Sequence, residues 1–274
     1  MSGIKRILVH LDSTDRCALR LALACHIAKR HGARLVGLFA ETDPTVPGPI
    51  ADWPTPNHAA AAQATRDAFA AALAEHGVQG DWYGVHSGQP DQLTQEVLAA
   101  ARASDLTLLG QHNETHHRTI PAGMVEEIVV GAGTPVLILP YAGTFTLDGH
   151  GALVAWNGSR EAAHALAGAR PLLEMAGKAL VLELIPEGRR PPREEAPWSD
   201  PTALLAAWGV TAEHERHHVT GIGIMDLLLS RLTDEGAALL VMGAHGHYGF
   251  PSLGRGRGTR YILDHMTVPV LMAH

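Results

Sequence analysis

The sequence predicts an α/β fold in which a parallel sheet is covered by helices on both faces, present in two tandem copies. Three observations carry this. Short apolar runs rich in branched residues alternate with longer segments of helical apolar spacing along the whole chain. Strands joined through helices run parallel and are buried on both sides, so they read as unbroken apolar runs rather than alternating ones. The second half also repeats the first: P-V-L-I-L at 135–139 returns as P-V-L-M-A at 269–273, and D-S-T-D-R-C-A-L at 12–19 returns as N-G-S-R-E-A-A-H at 157–164. A period of about 140 residues makes each copy a domain.

In order, Ile4 to Leu11 reads as a buried strand ending at Asp12. Ser13 and Thr14 can cap a helix from about Arg16 to His31, with apolar residues at 18, 19, 21, 22, 25 and 28 as its packing face. Ala33 to Ala40 is the next strand. A proline-rich loop then leads to an alanine-rich helix, His58 to His76. Strand Asp81–His86, helix Asp91–Ala103, strand Leu106–Leu109, helix Ala122–Val130 and strand Pro135–Leu139 complete the first copy. The turn-rich T-L-D-G-H-G stretch places the boundary near residue 147, giving domains 1–146 and 147–274. The second copy reads as strands Ala152–Trp156, Ala179–Ile185, Thr211–Val219, Ala237–Met242 and Pro269–Ala273, with a second proline-rich loop after Ile185 and a helix over Ile222–Glu235.

Composition narrows the function. Hydrophobic content of 46% supports two buried cores, and a net charge of −7 argues against nucleic acid as a partner. The two cysteines, Cys17 and Cys25, share one predicted helix, a placement that suits neither a metal finger nor a disulfide. With no apolar signal core at the N-terminus and no run of membrane-spanning length, a cytoplasmic protein with no membrane partner is expected.

The most informative stretch is Val241 to Arg260. A buried strand runs into a loop with glycines at 243, 246, 249, 254, 256 and 258; His245 and His247 lie among the earlier ones and Arg255, Arg257 and Arg260 among the later. Glycines let backbone N–H groups turn toward a ligand, arginines add forked donors, and the following helix contributes unpaired N–H groups. The combination calls for an anion, with phosphate first. The duplicate supplies a control. Placing Gly110 on Gly243 puts Asn113 on Gly246, Gly123 on Gly256, Met124 on Arg257, Glu126 on Thr259 and Glu127 on Arg260. The first loop thus loses a glycine and its arginines, and gains carboxylates that repel phosphate.

On these residues the chain resembles the universal stress protein family in its tandem, two-domain form. The carriers are L-V-H-L-D-S and L-V-A-W-N-G-S at the strand ends, the G-A-H-G loop, and the two P-V-L strands. The resemblance covers essentially the whole chain. It implies two doubly wound, five-stranded, Rossmann-like domains forming an internal pseudo-dimer through Pro135–Leu139 and Pro269–Ala273, with a further homodimer open. It also implies a Gly-x-x-Gly, nine residues, Gly-Ser/Thr loop that holds ATP. Gly243, Gly246 and Gly256 match that spacing; Arg257 stands at the Ser/Thr position and Thr259 two residues late. In nucleotide-binding relatives an aspartate at the first strand end contacts the adenosine; here it is Asp12 in the first copy and Asn157 in the second.

Eighteen histidines raise the question of metal, but the pairs four apart, His112 with His116 and His214 with His218, fall in a loop and on a strand rather than on a helix, none shows the spacing of a finger, and no metal site is expected. No G-x-S-x-G elbow or Walker lysine occurs, so catalysis beyond weak ATP hydrolysis is not expected. The expected ligand site comprises Asn157, Gly158, Gly243, His245, Gly246, Gly256, Arg257, Gly258 and Thr259, with Asp12, Ser13 and Gly110 as a secondary set. The expected function is a cytoplasmic stress-response carrier or sensor of ATP or a related nucleotide, with magnesium as a companion ion. A scaffold engaging a protein partner and a weak ATPase are the alternatives.

Overall fold

A computed structural model of the chain describes residues 3–43, 53–112, 119–187, 200–244 and 256–274. The chain folds as two compact units, residues 1–144 and 145–274.

In the first unit the elements run β1 (Arg6–Leu11), α1 (Cys17–His31), β2 (Arg34–Phe39), α2 (Pro56–His76), β3 (Gly80–Gly84), α3 (Pro90–Arg102), β4 (Leu106–Gly110), α4 (Met124–Gly131) and β5 (Val136–Leu139). Its strands lie in the order β3-β2-β1-β4-β5, and every neighbouring pair is parallel. From Ile7 onward β1 is buried on both faces, which is why it reads as an apolar run. Helices α1 and α2 pack together, as do α3 and α4, forming the two covering layers.

The second unit repeats this with β6 (Ala152–Trp156), α5 (Arg160–Ala176), β7 (Lys178–Pro186), α6 (Pro201–Ala207), β8 (Thr211–Val219), α7 (Ile224–Asp234), β9 (Leu239–Gly243), α8 (Arg257–His265) and β10 (Val270–Ala273). Its strand order is β8-β7-β6-β9-β10, again parallel throughout. The expected class, two tandem doubly wound α/β domains of five strands, is what the chain forms.

Some expectations shift in detail. Helix α2 starts at Pro56 rather than His58, because the Thr55 side chain accepts from His58 N (3.1 Å) and proline serves as the first helical residue. Helix α3 likewise starts at Pro90. Helix α4 starts at Met124 rather than Ala122, because Gly123 is left-handed (φ 81°). The packing face of α1 is rotated from the one the apolar residues suggest. Ala18 and Ala22 are exposed, whereas Arg20, Leu23, Ala24 and Ile27 are buried.

In each unit the chain reverses direction across the sheet beside the first strand. The switch points are the carboxyl ends of β1 and β4 in the first unit and of β6 and β9 in the second, where doubly wound sheets place ligands.

Candidate functional site: two unequal crevices

The first crevice is filled by its own side chains. Asp12, just past β1, is 3% exposed, and Arg20, one turn into α1, is 1% exposed. Arg20 Nη2 donates to Asp12 Oδ2 (2.5 Å) and Arg20 Nε to the His10 carbonyl (2.7 Å). Burying each ion costs several kcal/mol, so the guanidinium tolerates the interior only because these acceptors are in place. Burial alone would raise the Asp12 carboxyl; Arg20, His10 and Thr14 outweigh it and hold the group below its usual value. His10 donates from Nε2 to the Ala40 carbonyl (2.7 Å) and is pushed down to about 4 by burial, against the opposing pull of Asp12. It is a neutral imidazole.

Gly110 ends β4 where Arg20 Nη1 occupies the space a Cβ would need. Ser13 is engaged too, its N–H and Oγ both donating to Glu41 Oε2 at 2.8 Å. The structure therefore brings Asp12 and Gly110 together around Arg20, and binds the polar groups of Asp12 and Ser13 to Arg20, Thr14 and Glu41. The room left beside them is a cavity of about 20 Å³, enough for about one water.

The second crevice is built differently from equivalent positions. Aligning Asp12 with Asn157 carries His10 onto Ala155, Ser13 onto Gly158 and Arg20 onto Ala165, so the charged cluster has no counterpart. Asn157 Oδ1 accepts from Ser159 N (3.0 Å), Gly158 takes a left-handed turn (φ 69°), and Ser159 Oγ accepts from Ala162 N (3.1 Å) to cap α5. Gly243 has a packing duty of its own, because a Cβ there would lie 2.6 Å from Ala162 N and from the Glu161 carbonyl carbon. It admits the first turn of α5 against the end of β9.

Glu161, in that same first turn, is 6% exposed. Burial alone would raise its carboxyl; its own backbone N–H, Ser159 and Arg160 outweigh this and hold it low. Ser159 and Glu161 together therefore serve the start of α5.

Helix α8 is served differently. It follows Gly256, left-handed at φ 79° and ψ −10°, nearly matching Gly123 ahead of α4 at φ 81° and ψ −10°. Neither helix has a side-chain cap, but α4 carries Glu126 and Glu127 in its first turn while α8 carries no acid there. Arg257 and Arg260 are exposed, and Gly258 packs near Met225. Thr259 is 3% exposed, so it reaches a ligand through its backbone at most. His245 and Gly246 lie outside the described residues. Asn157, Gly158 and Gly243 thus mark one wall of the crevice, and Gly256 to Thr259 open a helix with no acid in its first turn.

Two of the three histidines of β8 lie beside carboxylates. His214 lies 3.7 Å from both Glu183 and Asp200, and His217 lies 3.0 Å from Glu215. Among the described residues no group of three or more His, Cys, Asp or Glu is arranged to hold a metal ion, and no helix is long and apolar enough to cross a membrane.

Sequence reasoning missed Arg20, Glu41 and Glu161. For Arg20 a signal existed: an arginine between Leu19 and Leu21 on a helix, two turns from an aspartate at a strand end.

Fold and crevice together define a tandem doubly wound protein whose two copies have diverged at the switch point. The chain belongs to the universal stress protein family, whose sequence profile matches residues 3–140 and again 151–274. A universal stress protein from Archaeoglobus fulgidus DSM 4304 superposes with a TM-score of 0.73 at 16% identity, covering 98% of this chain and 95% of its own. A second, from Pseudomonas aeruginosa UCBPP-PA14, gives 0.62 at 18% identity, covering 98% and 93%. A functionally unknown protein from Pseudomonas aeruginosa PAO1 gives 0.64 at 18%, covering 98% and 92%. At these identities the likeness is one of fold. Comparison with curated proteins found no match.

Proposed function

We propose that the second unit binds a phosphate-bearing ligand, with ATP or a related nucleotide as the first candidate, and that the chain acts as a carrier or sensor in a cytoplasmic stress response rather than as an enzyme. The observation that carries this is the contrast at equivalent helix starts. Helix α8 opens behind a left-handed glycine with Arg257 alongside and no acid in its first turn, while α4 opens with Glu126 and Glu127. A helix start without acids attracts phosphate, and one carrying two carboxylates repels it. Asn157 would meet the nucleoside through its uncharged amide. Magnesium would enter with the phosphates, since the donors at this helix start are cationic or N–H groups unsuited to a resident cation.

Thermal unfolding of the full chain with millimolar ATP and magnesium tests the reading. A ligand at about 100 times its Kd stabilises by about 2.7 kcal/mol, a shift of several degrees. Arg257→Glu should abolish the shift and Glu126→Gln should leave it intact. No shift in the parent chain would favour a scaffold role. ATP turnover that Arg257→Glu abolishes would favour the weak ATPase.

A further inference from the structure

A second feature of the first unit lies away from its crevice. Helix α2 runs 21 residues, yet only His58 and Phe69 on it are buried. A groove of about 1280 Å³ is lined by α2, β2, the edge strand β3 and α3, with Asp91 and Glu96 on the α3 wall. That exceeds the roughly 300–1,000 Å³ of most small-molecule pockets, so the chemistry of the walls decides what fits.

One corner of the groove is aromatic. Trp53 and Phe39 flank His58, with ring centres 4.2 and 5.1 Å away, and Trp82 stacks on Phe39 (6.4 Å, 22° between planes). The Arg66 guanidinium lies 5.6 Å over the Trp82 ring and makes no ion pair with a described residue. Trp53 Nε1, Trp82 Nε1 and His58 Nδ1 are buried without hydrogen-bond partners. Buried polar atoms are satisfied in the great majority of cases, so three orphans in one corner form a local exception.

The duplication shows that the fold does not require these rings. Leu11 pairs with Phe39 as Trp156 pairs with Glu183, so Phe39 and Glu183 are equivalent. By the same register Gly37–Trp82 corresponds to Val181–His214, and Phe39–Gly84 to Glu183–Arg216. The second unit builds this corner from a carboxylate, an imidazole and a guanidinium.

We propose that the corner of the first unit formed by Phe39, Trp53, His58 and Trp82, with Arg66 at its rim, is a binding site for a planar aromatic carboxylate. Ring faces stack a flat apolar body, the guanidinium takes the carboxylate, and an indole N–H gains an acceptor once its ring turns toward the ligand.

The test is calorimetric titration of the full chain with 2-naphthoate, with and without saturating ATP and magnesium. Saturable binding of one equivalent is expected, unaffected by nucleotide. Ala62→Trp fills the groove from a half-buried helix position without removing core, and should weaken binding at least about tenfold with unchanged circular dichroism. Should that variant fail to fold, Arg66→Ala alters only an exposed side chain and should weaken 2-naphthoate about tenfold while sparing neutral 2-methylnaphthalene. No saturable binding up to about 1 mM would overturn the proposal. So would affinity that both substitutions leave unchanged, or equal loss of the charged and neutral probes in Arg66→Ala.

Discussion

Arg20 Nη2 and Asp12 Oδ2 meet at 2.5 Å with both side chains almost wholly buried, at a place where the second unit carries Ala165 and Asn157. The pair occupies the switch point of the first sheet. One copy of the duplication has closed its crevice with a salt bridge, and the other has an alanine at the same helix position.

Removing one partner leaves an uncompensated charge. Arg20→Ala should destabilise the first unit by about 3–5 kcal/mol, and adding Asp12→Asn should recover part of the loss. Guanidinium unfolding checks this. Equal losses in the single and double variants would mean that packing, not charge, holds the arginine.

His10 makes the same cluster sensitive to acid. Its folded value of about 4 lies below the ordinary 6.5, so the native state binds fewer protons than the unfolded chain. Its contribution is complete above pH 6.5 and is lost as pH falls toward 4, a change on the order of 3 kcal/mol. Asp12, also depressed, adds a loss at lower pH, below the ordinary carboxylate value. His10→Gln should flatten the upper part of this slope in urea unfolding measured between pH 7 and pH 4; an unchanged slope would assign it elsewhere.

Gly243 is required by packing whether or not a ligand binds. A Cβ there meets backbone of α5 at 2.6 Å, and backbone cannot rotate away. Gly243→Ala should cost about 1–3 kcal/mol without any nucleotide present. A midpoint of unfolding equal to that of the parent chain would show that α5 can shift and that the glycine serves something else.

How legible was this from sequence? Strand and helix order was, because parallel strands buried on both faces leave unbroken apolar runs, as in β1 and β9. Helix starts were less so. Thr55-Pro56 and Gln89-Pro90 look like loop punctuation but are a first helical proline and the residue before it. The face of α1 misled because apolar spacing cannot show that an arginine is drawn inward by Asp12. The contrast between α4 and α8 was readable, since Glu126 and Glu127 act within their own first turn. The contents of the first crevice were not. Arg20 reaches Asp12 across 8 residues and Glu41 reaches Ser13 across 28, and only the folded sheet brings those ends together. Gly243 carried two meanings, a close approach to a ligand or to a helix, and sequence cannot separate them.

The central claim is a single nucleotide site, in the second unit. Isothermal titration of the full chain with ATP and magnesium tests it most directly. The account predicts one equivalent bound per chain, with affinity reduced at least about tenfold by Arg257→Glu. No binding at millimolar ATP, two equivalents per chain, or an affinity indifferent to Arg257→Glu would contradict it.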